Sequence, residues 1–271
     1  MMARRAASLL VLTVLLLSAV SALGAQGKVL TVCADPNNLP FSNLARQGFE
    51  NKIVEMLARE MRIPVQYVWW AQRRGYARNT LGRERCDIWP GVASGIDNVR
   101  TTRPYYRSSY VFVTRARAGL DGLSLDDERL RSLMVGIQMI GNEAMNTPPA
   151  HALARRGITV NVRGYMLYGD YARPNPPAAI VDAVAHGDID VGLVWGPLAG
   201  YFSLRSPVPL SLQPVQPTSD GPQWPMQYAI AMGVRRDEPQ LLAKLNALLA
   251  REQPVIDALL EAYQVPQVAM R

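Results

Sequence analysis

At 271 residues, with 49% hydrophobic and 19% charged side chains, the chain has the length for two modest domains or one large one and the composition of an ordinary globular protein. The formal charge of +7 is carried almost wholly by arginine, with Lys28, Lys52 and Lys244 the only lysines, and no dense basic block with interleaved aromatics points to nucleic acid. Two cysteines without a CxxC pair, and two histidines (His151 and His186) outside any cysteine cluster, give no support to zinc or haem attachment.

In chain order, Arg4 and Arg5 precede an apolar run from Ala6 to Val20 and then Ser-Ala-Leu-Gly-Ala, the three-part pattern of an export leader. Cleavage after Gly24 is expected, and the apolar run is shorter than the ~20 residues of a membrane span. No second segment is apolar enough to insert stably in a bilayer, so a protein exported to the periplasm is expected. Losing the two leader arginines lowers the formal charge from +7 to +5, a basic surface compatible with an acidic protein partner.

Val29 to Ala34 reads as a short apolar strand, followed by the turn-rich loop Asp35 to Phe41. Loops at the carboxyl ends of such strands are where open α/β sheets bind ligands, which makes Asp35, Asn38 and Phe41 candidates for a cleft wall. A helix with an apolar stripe from Phe49 through Ile53 and Leu57 follows Gly48 and stops before Pro64. Val65 to Trp70 is the second strand. Gln72 and Arg73 open the next loop, where Arg73-Arg74 reads either as a carboxylate-binding fork or as a solvated pair, the latter favoured in an arginine-rich chain. A helix to about Gly82 completes a β-α-β-α-β order that demands a parallel sheet.

The stretch Cys86 to Thr114 is the centre of the pattern. Cys86 to Trp89 reads as a buried third strand ended by Pro90-Gly91, which places Trp89, Gly91 and Ser94 at a carboxyl edge, and Tyr105 precedes the crossing strand Tyr110 to Thr114. Cys33 lies late in one strand and Cys86 begins another. If the two strands are parallel neighbours their sulfurs start at opposite ends, and the register argues against the Cα approach of about 7 Å that a bridge needs.

Beyond the crossing, Ser124 to Leu130 forms a helical turn whose Asp126-Asp127-Glu128 run reads as first-turn carboxylates in preference to a hard-metal site. Leu133 to Gln138 is a strand, Ile140, Gly141 and Asn142 form the loop after it, and Thr147-Pro148 starts a helix that stops at Gly157. Ile158 to Arg163 is a strand leading to a long loop, Gly164 to Pro177, that carries Tyr168. Pro177 to Gly187 is a helix, and Asp190 to Trp195 a strand that delivers Trp195 to its carboxyl end. Val208 to Leu212 is an edge strand, Tyr228 to Val234 a second crossing, and two amphipathic helices, Glu238 to Ala250 and Pro254 to Tyr263, return to cover the first lobe.

This order resembles the type II periplasmic binding-protein fold of family 3 solute-binding proteins, carried by LTVCADPNNLPF, by CDIWPGV with TTRPYYRSSYVFV, and by AIVDAVAHGDIDVGLVW with YAIAMGVRR. The resemblance implies an α/β protein of two lobes, joined by two crossing segments, with an interlobe cleft. The lobes would comprise residues 28–112 with 229–271, and 113–228. Amino-acid binders of that family place an arginine after the third strand, and Ser94 to Val99 lacks it. CADPNNLPFSN, GFENKI, QRRGYARNTL, GIQMIGN with NTPPAHALARRG, and VGLVWGP are similar to the J proteins encoded beside quinoprotein methanol dehydrogenases, especially the lanthanide-dependent type. That narrower likeness implies a monomeric, non-enzymatic periplasmic accessory protein without a cofactor of its own. Its expected partner is a pyrroloquinoline quinone (PQQ)-dependent methanol dehydrogenase, a segment of which the cleft would hold. The alternatives are an importer's binding protein for a small molecule or peptide, and an enzyme like the cyclohexadienyl dehydratases, for which Asp35, Glu143 and Asp170 are the loop carboxylates to test.

Overall fold

Leu30, Val32 and Ala34 are buried, and the apolar run that holds them forms β1 (Leu30–Ala34) inside a sheet. The structure is a computed structural model that describes residues 28–73, 75–97, 99–139, 146–168 and 172–269. A two-residue ladder, β2 (Asn37–Asn38) with β3 (Ser42–Asn43), folds the next loop back on itself. Helix α1 (Phe49–Met61) then buries Phe49, Ile53, Val54, Leu57 and Met61, the predicted apolar stripe. It can begin at Gly48 because a Cβ there would stand 1.9 Å from the Phe41 carbonyl oxygen. Asn51 caps the start from inside, its Oδ1 accepting from the Gly48 and Asn43 amides at 3.2 Å.

Strand β4 (Val65–Trp69) runs parallel to β1 with Leu30 opposite Val65, and β5 (Ile88–Ala93) runs parallel to β1 on the other side with Val32 opposite Ile88. Between them the expected long helix is a short one, α2 (Tyr76–Asn79), followed by a 3-10 turn at Leu81–Arg83. The third strand also differs from its prediction. It starts two residues later, and it continues through Pro90 and Gly91, which had read as its end. Against antiparallel β12 the register shifts so that Pro90 and Gly91 both stand opposite Met232, a bulge in β5 that absorbs a proline without an N–H and a glycine at φ +74°.

The late start of β5 also overturns the expectation that Cys33 and Cys86 stand apart. Cys86 lies in the segment before the strand, free of the ladder's register, and its Cα comes within 5.6 Å of that of Cys33 to form a disulfide. Both cysteines are fully buried with Tyr76 and Leu81.

After the short β6 (Arg100–Thr101), β7 (Tyr106–Arg115) is the first crossing and four residues longer at its start than predicted. Strands β8 (Val135–Gln138), β9 (Val162–Tyr165) and β10 (Val191–Trp195) form a parallel set in the second lobe, with α3 (Pro148–Arg155) and α4 (Ala179–His186) between them. Helix α5 (Gly196–Ser203) follows β10, β11 (Leu210–Pro214) pairs with the far half of β7, and β12 (Gln227–Val234) makes the second crossing. The sheet order is β4-β1-β5-β12-β7-β10-β8-β9, so antiparallel β12 and β7 join two parallel halves. Two main apolar clusters result, and the larger includes α6 (Pro239–Arg251) and α7 (Gln253–Ala262), which pack on α1 as expected. This is the two-lobe α/β architecture with an interlobe cleft.

The Asp126-Asp127-Glu128 carboxylates are all engaged by arginines. Asp127 caps the Arg129 amide at 2.9 Å and pairs with its guanidinium, Asp126 pairs with Arg156 at 2.8 Å, and Glu128 with Arg131 at 2.7 Å.

Candidate binding site

The carboxyl ends of the parallel strands in both lobes face one another across the crossing strands, and between them lies a cavity of about 670 Å³. Gln72 and Arg73 enter it from the loop after β4 and Ala93 from the end of β5; Tyr110 on β7 and Tyr228 and Ile230 on β12 form its floor. The second lobe contributes Gln138 and Met139 after β8, Met166 to Tyr168 after β9, and Trp195 at the end of β10. Trp195 meets Tyr110 edge-on at 5.3 Å and Tyr228 at 5.9 Å, so the three rings form one aromatic wall. Arg73, exposed at the rim, is the only charged side chain among the described lining residues.

Of the residues singled out from the sequence, Gln72, Arg73, Tyr168 and Trp195 line this cavity. Asp35 and Asn38 stand behind it as supports. The buried Asp35 carboxylate accepts from the Gln72 amide at 2.6 Å and the Asn37 amide at 2.8 Å, and Asn38 donates to the Gln72 side chain at 3.0 Å. Burial raises the Asp35 pKa, and the two N–H bonds oppose the rise. The Tyr168 hydroxyl is raised by burial too, against a hydrogen bond from Gln138.

Phe41 is in the core instead, 5.4 Å from the Phe49 ring, because the β2–β3 ladder turns it beneath the loop. Trp89 packs on Tyr76 at 5.0 Å and borders a separate hollow of about 440 Å³ next to Gln72 and Arg73. Ser94 is exposed, its amide bonded to Ala229 O at 2.8 Å. Ile140, Gly141 and Asn142 lie outside the described residues, as do Arg74, Glu143, Asp170 and the expected leader.

Gly91 and Tyr105 lie below the cavity wall, around the fully buried side chain of Glu50. The Gly91 amide donates to the Tyr105 hydroxyl at 3.2 Å, and a Cβ on Gly91 would stand 2.1 Å from Glu50 Oε1. Both this contact and the positive φ oppose a side chain, so Gly91→Ala is expected to destabilise the fold by about 2 kcal/mol. The shift of a urea midpoint measures it, and an unchanged midpoint would show that Glu50 swings aside at no cost.

The sequence reading left out Tyr110 and Tyr228, although it placed both on crossing strands. The signal was available, since a strand that crosses between lobes must floor the space between them.

No family model matches the chain. It is 33% identical over 244 residues to the protein MoxJ of Methylorubrum extorquens, covering 88% of this chain and 81% of that one. This chain belongs to the MoxJ family. A second MoxJ, from Paracoccus denitrificans, is 29% identical over 258 residues and 88% of each chain. Among solved structures, the periplasmic binding protein XoxJ of Methylobacterium extorquens AM1 matches with a TM-score of 0.72 at 33% identity, over 89% of this chain and all of that one. MxaJ of Methlophaga aminisulfidivorans MPT matches with a TM-score of 0.74 at 27% identity, over 88% of this chain and 100% of that one. An ancestral cationic amino-acid solute-binding protein, 18% identical with a TM-score of 0.66, shares the fold alone. This MoxJ-family member is therefore a periplasmic, binding-protein-like component associated with methanol oxidation. Among its described residues no helix is long and apolar enough to cross a membrane.

Proposed function

We propose that this protein assists the maturation or activation of a PQQ-dependent methanol dehydrogenase, of the lanthanide type, by seating a segment of that enzyme between its lobes. The observation that carries this reading is the cavity wall itself, with three clustered aromatic rings, Met139, Met166 and Leu167, and one charged side chain at the rim. A free amino acid needs a cation for its carboxylate and an acid for its ammonium. The nearby Asp35 carboxylate is already held by two backbone amides, which leaves no acid of the described lining to serve. A partner's apolar side chains suit such a wall better.

In this reading the leader is cleaved after Gly24, residues 28–112 with 229–271 form one lobe and 113–228 the other, and the mature monomer performs no chemistry of its own. Docking and lobe closure would alter the state of the bound enzyme segment. Calorimetric titration with the purified dehydrogenase, free of and loaded with PQQ and metal, tests it. Tighter binding of the unloaded form is expected, and Trp195→Ala is expected to weaken binding roughly tenfold or more without changing thermal stability by more than a few degrees. Binding to neither form, with saturable heat from a panel of small solutes, would favour an importer's binding protein instead.

A further inference from the structure

A second recognition surface lies away from the interlobe cavity, where β11 borders a groove of about 900 Å³ against α7 and the chain that follows it. Among the described residues, strand β11 pairs only with β7. The flanking hydrogen bonds, Ala116 N–H to Pro209 O and Val215 N–H to Tyr110 O, fix the parity of that ladder: residues 209, 211, 213 and 215 face β7. The N–H and C=O of Leu210 and Leu212 therefore point the other way, and both residues line the groove. Pro214, whose missing N–H falls on the outward side, ends this open stretch of a five-residue strand, so it is a short edge, closed to long pairing but available for a few residues. On the opposite side, Asp257 and Glu261 lie one helical turn apart on α7 and also line the groove. Asp257 accepts from the Gln253 side chain at 2.8 Å, and among the described residues neither carboxylate forms an ion pair. Like charges at this spacing repel, and a cation between them relieves the repulsion. The exposed Leu204 adds apolar surface, and Ser203 Oγ is buried there without a hydrogen-bond partner.

From this juxtaposition we infer that the groove takes an extended segment of a partner polypeptide with alternating apolar and basic side chains, which adds as a strand to β11. Backbone groups of Leu210 and Leu212 supply the ladder, Leu204 receives an apolar side chain, and Asp257 with Glu261 receives a lysine or arginine. In a chain whose formal charge stays at +5 after loss of the leader arginines, this acidic pair selects against acidic segments that the rest of the surface would attract. The site is independent of the cavity reading, since none of its residues lines that cavity.

The test uses an acetylated, amidated heptapeptide of alternating valine and lysine, with versions carrying glutamate for lysine or N-methyl groups on alternate amides. Binding to the purified protein is read by fluorescence anisotropy at low salt, and amide exchange by NMR. The lysine peptide is expected to bind at least tenfold tighter than the glutamate peptide, the N-methylated peptide to fail, and the Leu210 and Leu212 amides to gain protection. Leu212→Pro, which removes an outward N–H, and the pair Asp257→Lys with Glu261→Lys, which leaves the backbone intact, are each expected to reduce binding at least tenfold. Trp195→Ala is expected to leave it unchanged. No saturable binding, equal binding of both charge versions, unprotected Leu210 and Leu212 amides in the complex, or loss of binding in Trp195→Ala alone would overturn the inference. The last outcome would place the peptide in the interlobe cavity.

Discussion

Replacing Cys33 and Cys86 together by alanine is expected to lower the stability of the fold by about 4 kcal/mol. The bridge closes a loop across a sequence separation of 53, and the chain-entropy model assigns about that much to a loop of this length. Both sulfurs are fully buried with Tyr76 and Leu81, so removing them also leaves a small packing defect under α2. For a domain of this size the loss corresponds to a fall in melting temperature of roughly 8–16 °C. The consequence should reach the cavity, because the bridge ties β1 to the segment that leads into β5, and β5 delivers Ala93 to the wall. Calorimetric melting with and without reductant provides the check. Reductant should lower the melting temperature of the wild-type protein by a similar amount and leave the double variant unmoved. A loss below about 1 kcal/mol would mean that this stretch is already restrained in the unfolded chain.

The elements that could be read from the sequence are those whose signal is local. The stripe of Phe49, Ile53 and Leu57 repeats at the helical period, and the β-branched run in β7 has no competing reading. The parallel order of β1, β4 and β5 followed from the strand-helix alternation. Strand β5 was misjudged because Pro90 and Gly91 usually end a strand, whereas here they form a bulge opposite Met232 of β12, a pairing partner about 140 residues away in the chain. The disulfide was hidden by the same error, since its argument rested on where that strand began. At the cavity, the rule of carboxyl strand ends found Gln72, Arg73, Tyr168 and Trp195. It could not separate Phe41 from them, because whether a loop aromatic faces the cleft or the core depends on how the β2–β3 ladder folds, a matter of tertiary contact. Glu50 gave no sign at all. An acid in the first turn of a helix is favourable on its own terms, and only the fold places β5 and Tyr105 over it.

That burial gives Glu50 an effect on stability whose sign is set by pH. Its side chain sits beneath Gly91 with Oε1 lacking a hydrogen-bond partner, and burial lifts its pKa from 4.5 to about 8. Among the described residues the titratable groups coupled to it are hydroxyls and not cations: Tyr105 and Tyr106 feel its charge and are themselves raised by burial, as is Tyr168, which feels both Asp35 and Glu50. The helix dipole favours the carboxylate at this end of α1 but does not offset the desolvation. Glu50 is therefore protonated in the folded protein at neutral pH and ionised in the unfolded chain. Between pH 4.5 and about 8 the folded state holds a proton that the unfolded state has released, so this contribution is complete below pH 4.5 and is lost as pH rises through 8. Each pH unit in that window costs up to about 1.4 kcal/mol, and the whole span amounts to about 3–5 kcal/mol. Glu50→Gln keeps the shape and removes the titration, so its stability relative to wild type should rise steadily from pH 5 to pH 8.5. Urea unfolding of both proteins at pH 5, 7 and 8.5 measures the divergence. Parallel stability profiles would mean that the folded protein holds Glu50 ionised, with its charge stabilised by water or by a cation at the edge of β5.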